Sequence, residues 1–184
     1  MSKGPSNNPL VQQLQLLLTG YGYNFYDKKN QARADDLLVR QKASNSLEEA
    51  AQALSALERD FQRQFIPPLT RESPFPSQEI LNEVREITRL RERISALASR
   101  IRGMPVPTQD RTWWRYREEQ ATLQRLLELD YYMVWHSNQV AGMSLSLTPS
   151  GWRERPASRD FEQPLQILDT IVRDRQHFLE VTGR

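Results

Sequence analysis

A row of isoleucines at every seventh position most constrains what this chain can fold into. The row consists of Ile80, Ile87, Ile94 and Ile101. Leu90 and Leu97 form a companion row, and isoleucine on one row with leucine on the other is typical of helices that pack in pairs. Ser77 is a good N-cap residue and Gly103 a good helix stop. The pattern therefore predicts a helix over residues 77–102 that buries one face against a second helix.

A second heptad pattern lies just before this helix. Its apolar positions are Leu47, Ala50, Leu54, Leu57 and Phe61. Ser46 with Glu49 is a capping-box signature, so a helix either begins there or continues from a helical stretch over residues 27–42. A pair of prolines ends the pattern. Because only about ten loop residues join the two heptad helices, we predict a long antiparallel, coiled-coil-like hairpin over residues 46–102.

The remaining segments also show helical periodicity, and no run of alternating β-branched residues predicts a strand. We predict a flexible lead over residues 1–8, a short helix, a helix over 110–136, a loop over 141–158 and a C-terminal helix over 160–181. The stretch 126–135 is apolar nearly all round, so we expect it in a central helix or a subunit interface. The predicted fold class is all-α, a bundle of five or six helices that forms a single domain over residues 9–184.

Composition excludes several classes of site. The chain has 184 residues, no cysteine and two histidines, His136 and His177. Without cysteine there is no disulfide, thiolate nucleophile or cysteine-ligated metal, and no Glu-x-x-His motif of a di-iron centre occurs. A nucleophile elbow, a dinucleotide fingerprint and a Walker-type loop are also missing. We therefore expect a non-catalytic protein that needs no cofactor and no metal.

The N-terminal segment is polar, unlike a secretory signal peptide. The nearest apolar stretch, residues 10–18, contains three glutamines, whereas a membrane-spanning helix needs about 20 predominantly apolar residues. We therefore expect no association with a membrane and a cytoplasmic location.

Basic residues are concentrated on the helix that carries the isoleucines. Residues 77–117 hold 9 positive and 5 negative side chains, whereas residues 118–184 hold 7 positive and 10 negative. At about 100° per residue, four arginines fall within an arc of about 80° roughly opposite the isoleucine row. We call these four residues the arginine stripe: Arg85, Arg89, Arg93 and Arg100. Guanidinium groups bind carboxylates and phosphates bidentately, so the stripe is a candidate partner-binding surface; the alternative is a solvated helix face.

Arginines alternate with aromatic residues just after this helix. The segment contains Trp113, Trp114, Arg115 and Arg117. Adjacent tryptophans on a helix point about 100° apart, so both cannot face one narrow seam. An exposed tryptophan beside arginine would anchor a protein interface or stack on bases. The alternative is that both rings belong to a core or dimer contact with arginines lying over them.

These features predict an interaction protein, such as an adaptor, assembly factor, chaperone or subunit of a larger complex. It would dock through helix faces as a homodimer or a hetero-complex, with Ile94, Trp113 and Trp114 as hydrophobic contacts. The electrostatic contacts would be the arginine stripe with Arg115 and Arg117. The alternative is a nucleic-acid-binding protein that places the same arginines on phosphates. A net charge of only +2 and the acidic C-terminal third count against that alternative.

Overall fold

The computed structural model describes residues 9–18, 32–66, 75–105, 119–155 and 157–182, and every secondary-structure element in these ranges is a helix. The α-helices are α1 (Pro9–Leu17), α2 (Ala32–Phe65), α3 (Gln78–Arg102), α4 (Gln120–Leu145), α5 (Pro149–Glu154) and α6 (Glu162–Thr182), with a 3₁₀ helix (Ala157–Phe161) leading into α6. The predicted all-α bundle is confirmed for this part of the chain. The predicted lead over residues 1–8 lies outside it.

α2 is one continuous helix of 34 residues, so the chain does not restart at Ser46. The Ser46 hydroxyl donates a hydrogen bond to Oδ1 of Asn138 on α4 at 2.7 Å and lies 3.1 Å from the carbonyl oxygen of Lys42. Ser44 bonds the carbonyl oxygen of Gln41 at 3.1 Å. Because these hydroxyls bond within α2 or across to α4, they do not cap a new helix. Residues 27–31, where the first helical stretch was expected to begin, lie outside the described ranges.

α3 runs antiparallel to α2. Toward the end of α2, Glu58 accepts a hydrogen bond from Arg91 at 2.9 Å. Near the beginning of α2, Arg40 donates to the carbonyl oxygen of Arg102, the last residue of α3, at 2.8 Å. The four isoleucines of the heptad row are at most 9% exposed, and Ser77 caps α3 as predicted. Residues 67–74, which connect the two helices, are not described, and the coiled-coil-like geometry of the pair stays a prediction.

α4 lies beside α2 and runs parallel to it. Ser46 meets Asn138 in the middle of the two helices. Further along, the Gln64 amide donates to the Ser150 hydroxyl at 3.1 Å, just beyond the end of α4. α4 also packs against α1 and α6, so three helices surround the element that contains the apolar stretch 126–135. Its predicted start at residue 110 lies outside the described residues.

α6 completes the bundle, parallel to α3 and packed against α4. The Ser158 hydroxyl in the 3₁₀ helix donates to Glu86 at 3.4 Å. Further along the two helices, Arg100 on α3 pairs with Asp169 on α6 at 2.7 Å. Pro164 stands in the first turn of α6, a position that proline tolerates. Around the bundle the order of the helices is therefore α2, α3, α6 and α4.

α4 continues nine residues past His136, its predicted end. The loop predicted over residues 141–158 is wrong for most of that range, which contains the end of α4, all of α5 and the start of the 3₁₀ helix. Gly142 does not end α4 because it lies on the exposed face, while its neighbour Val140 is buried in the core. The Ser144 hydroxyl bonds the carbonyl oxygen of Val140 at 2.9 Å, within the continuing helix.

A buried ionic network joins α2, α4, α6 and the end of α3. Arg175 is fully buried and donates to Asp130 at 2.6 Å and to Asp36 at 2.8 Å. The other carboxylate oxygen of Asp36 accepts from Arg40 at 2.9 Å. Arg40 also donates to the carbonyl oxygen of Arg102, which satisfies one of the terminal carbonyls of α3. The network fixes the relative positions of the main helices at one level of the bundle.

Candidate functional site

The structure places the arginine stripe on the outer face of α3, with all four side chains exposed. Arg89 and Arg93 make no hydrogen bond or ion pair with any residue that the structure describes. Arg85 donates only to a neighbouring amide on α3, at 3.3 Å. Arg100 is bound to Asp169 on α6. The stripe therefore has free guanidinium groups at its centre and is tied to α6 at its end.

A groove runs between α3 on one side and the 3₁₀ helix and α6 on the other. Its first cavity, about 540 Å³, is lined by Glu86, Arg155, Ser158, Arg159 and Asp160. Its second cavity, about 270 Å³, is lined by Arg93, Ala96, Leu97, Arg100, Leu165 and Asp169. We define the arginine groove as these two cavities together with Arg89, which lies between Glu86 and Arg93 on α3.

The two aspartates on the far wall of the arginine groove are already paired with arginines. Arg155 bonds Asp160 at 2.8 Å. Arg100 and Arg173 both bind Asp169, at 2.7 and 3.2 Å. These aspartates are therefore not available to neutralise the remaining arginines.

Three exposed guanidinium groups remain around the groove, those of Arg89, Arg93 and Arg159, none of which forms an ion pair within the described ranges. Glu86 lies three residues before Arg89 and lines the first cavity with Arg159, but it accepts a hydrogen bond from Ser158. Glu92 stands at the opposite edge of the stripe, where it partly offsets the charge. The groove thus presents an excess of positive charge on its α3 wall, and the opposite wall adds the guanidinium group of Arg159.

The floor of the second cavity is apolar. Leu97 on α3 and Leu165 on α6 are 7% and 1% exposed and close the bundle beneath the groove. Arg93 and Arg100 line the same cavity beside these leucines. The arrangement can bind carboxylates or phosphates through bidentate hydrogen bonds and can hold a small apolar side chain beneath them.

The other predicted site residues do not join this groove. Trp113, Trp114, Arg115 and Arg117 belong to the segment 106–118, which lies outside the described residues. Ile94 is fully buried in the core, on the face of α3 opposite the stripe. Because the seventh-position spacing buries this side chain inside one chain, a partner has no access to Ile94, and we remove it from the docking surface.

Sequence reasoning missed the contribution of Arg155 and Arg159. Arg155 falls in the range predicted as a loop and Arg159 directly after it, and the net negative charge of residues 118–184 concealed them. The available signal was local, because three of the seven residues 153–159 are arginine. Their position across from the stripe depends on how the 3₁₀ helix packs on α3, which composition does not reveal.

The described residues contain no group of three or more histidine, aspartate or glutamate side chains placed to hold a metal ion. None of the described helices is long and apolar enough to cross a membrane. In comparison with known proteins, no protein-family model, no curated protein and no solved structure matches the chain.

Proposed function

We propose that this protein is a non-catalytic interaction protein that docks an acidic protein partner in the arginine groove. The observation that carries the proposal is the set of three exposed arginines, Arg89, Arg93 and Arg159, which surround a groove without an ion pair in the described part of the chain. The protein would act as an adaptor, an assembly factor, a chaperone or a subunit of a complex.

On α3, repulsion between like charges offsets the attraction of Arg89 for Glu86 and Glu92, which lie three residues to either side of it. Arg89 lies four residues from both Arg85 and Arg93, and each such like-charge pair costs about 0.2–0.5 kcal/mol on an exposed helix. A partner that brings carboxylates to these guanidinium groups replaces repulsion with charge-assisted hydrogen bonds. Such contacts select a partner and speed association more than they add affinity.

An acidic protein suits the groove better than a nucleic acid. Glu86, Asp160 and Asp169 line the two cavities, and a phosphate backbone with its closely spaced charges would meet these carboxylates. A protein segment can place its own carboxylates opposite the free arginines and an apolar side chain over Leu97. The same experiment also tests the nucleic-acid alternative.

The experiment measures binding by fluorescence anisotropy with two labelled probes. One is an acidic amphipathic helical peptide with glutamate on one face and leucine on the other, and the second is a DNA duplex. The groove pair, Arg89→Glu with Arg159→Glu, is compared with a control pair, Arg63→Glu with Arg125→Glu. The side chains of Arg63 and Arg125 are 80% and 52% exposed and lie on α2 and α4. Each pair lowers the net charge by four, from +2 to −2.

The proposal predicts that the groove pair weakens peptide binding at least tenfold and that the control pair changes it less than threefold, because the contact is local. Equal losses of peptide binding in the groove pair and the control pair would show that binding depends only on the net charge of the protein. Tighter binding of the duplex than of the peptide, with a steep dependence on salt, would favour the nucleic-acid alternative.

A further inference from the structure

The exposed face of α4 carries a strip of residues that the arginine groove does not use. At about 100° per residue, the members of this strip fall within an arc of about 80°. We call them the α4 strip: Tyr132, Trp135, Gln139, Gly142 and Ser146. Tyr132 and Trp135 are 40% and 42% exposed although both are large and aromatic. The stretch 126–135 is otherwise mostly buried, so these two rings depart from the pattern around them.

The α4 strip is uncharged over its whole length. Residues 131–152 contain no aspartate, glutamate, lysine or arginine, although 26% of the chain is charged. His136 flanks the strip and packs edge-on against Trp135, with 4.7 Å between ring centroids. Burial lowers the pKa of His136 below its usual value of 6.5, which favours its neutral form. The charged ion pair of Arg125 with Glu128 lies one turn before the strip.

The strip can pair with itself. An antiparallel twofold axis through Gln139 places Trp135 opposite Met143 of a second copy, next to Gly142, and Tyr132 opposite Ser146. Trp135 thus lies beside the glycine of the second copy, and Tyr132 faces a small residue. A Cβ atom added at Gly142 would meet nothing within 4 Å, so this position is open to an incoming ring. An isologous contact of this kind closes as a dimer.

We propose that the α4 strip is a self-association surface and that its occupant is the same strip of a second copy of this chain. A second copy is favoured over an unrelated partner because the face lacks charge for selecting another protein and matches itself about one axis. From Tyr132 to Ser146 the strip is about 21 Å long. A strip of that length and one helix wide buries less area than each partner buries in a standard interface. The dimer is therefore weak and depends on protein concentration.

Disulfide cross-linking tests the proposed axis directly, because the chain has no cysteine. Gln139→Cys places one thiol at the axis, where two helices in contact bring the Cα atoms within disulfide range. Ile167→Cys on α6, where the native side chain is 37% exposed, is the matched control. Under mild oxidation, Gln139→Cys should form a covalent dimer at least ten times faster than Ile167→Cys. Equal rates would overturn the proposal.

Sedimentation equilibrium gives a second measurement that does not depend on an introduced thiol. Gly142→Arg should leave the monomer folded, because nothing lies within 4 Å of the new Cβ atom, yet raise the dimer dissociation constant at least tenfold. Unchanged self-association in Gly142→Arg, or a wild-type monomer at every concentration, would also overturn the proposal. The groove pair should dimerise like wild type, so this inference and the proposed function fail independently.

Discussion

Arg175 shows, at the scale of single residues, how this fold holds a full charge in its core. Its guanidinium group is 0% exposed and is bound by Asp130 and Asp36 from two different helices. Asp36 in turn holds Arg40, so the four side chains neutralise one another. Removal of one member would leave the others buried without compensation, which costs far more than the loss of a surface pair.

Asp36→Ala should therefore lower the free energy of unfolding by about 3–5 kcal/mol. The substitution removes a carboxylate that accepts hydrogen bonds from both Arg175 and Arg40. Urea denaturation followed by circular dichroism measures the change. Asp160→Ala is the control: it removes an exposed pair with Arg155 and should cost less than about 1 kcal/mol. If Asp36→Ala also lowered the free energy of unfolding by less than about 1 kcal/mol, that result would contradict the structural role assigned to the network.

The sequence alone did not identify this network. Asp36 and Arg175 lie 139 positions apart and read as ordinary solvent-facing charges on amphipathic helices. Their pairing depends on how α2 and α6 approach each other, which no local periodicity records. The exposed members of the arginine stripe, by contrast, follow from helical spacing alone, because they stand opposite a row that must be buried.

α4 shows what can and cannot be predicted at the scale of elements. The heptad row predicts α3 almost to the residue, since its cap and its stop are local signals. In α4 the predicted end at residue 136 is wrong, because Val140 and Ala141 pack into the core and the helix continues past Gly142. Tertiary packing therefore overrides the low helix propensity of Gly142.

Gly142→Ala should raise the free energy of unfolding by about 0.5–1 kcal/mol, because it lowers the entropy of the unfolded chain at a helical position with open space around it. Thermal unfolding of dilute protein, where the monomer predominates, measures the gain. Gly151→Ala serves as the comparison, because a Cβ atom there would lie 3.0 Å from the capping Thr148 hydroxyl. It should bring no gain. A loss in Gly142→Ala would mean that the exposed face of α4 is already covered within the monomer.

On the scale of the whole molecule, the bundle creates a surface that no single element contains. The arginine groove takes one wall from α3 and the other from the 3₁₀ helix and α6. The all-α class could be predicted because every long segment repeats at helical period. The groove could not, because the position of Arg159 beside Glu86 of α3 is set by the order of the helices around the bundle.

Docking of a protein partner in the arginine groove can be measured by co-purification of wild type, the groove pair and the control pair from cells that express the protein. Quantitative mass spectrometry would compare the co-purified proteins. Arg89→Glu makes the two pairs with Arg85 and Arg93 attractive and the two pairs with Glu86 and Glu92 repulsive. Because these changes offset each other, the groove pair should be about as stable as wild type, which urea denaturation checks. We expect acidic partners to be at least tenfold depleted with the groove pair and retained with the control pair. Equal recovery with both pairs would show that the groove does not dock them.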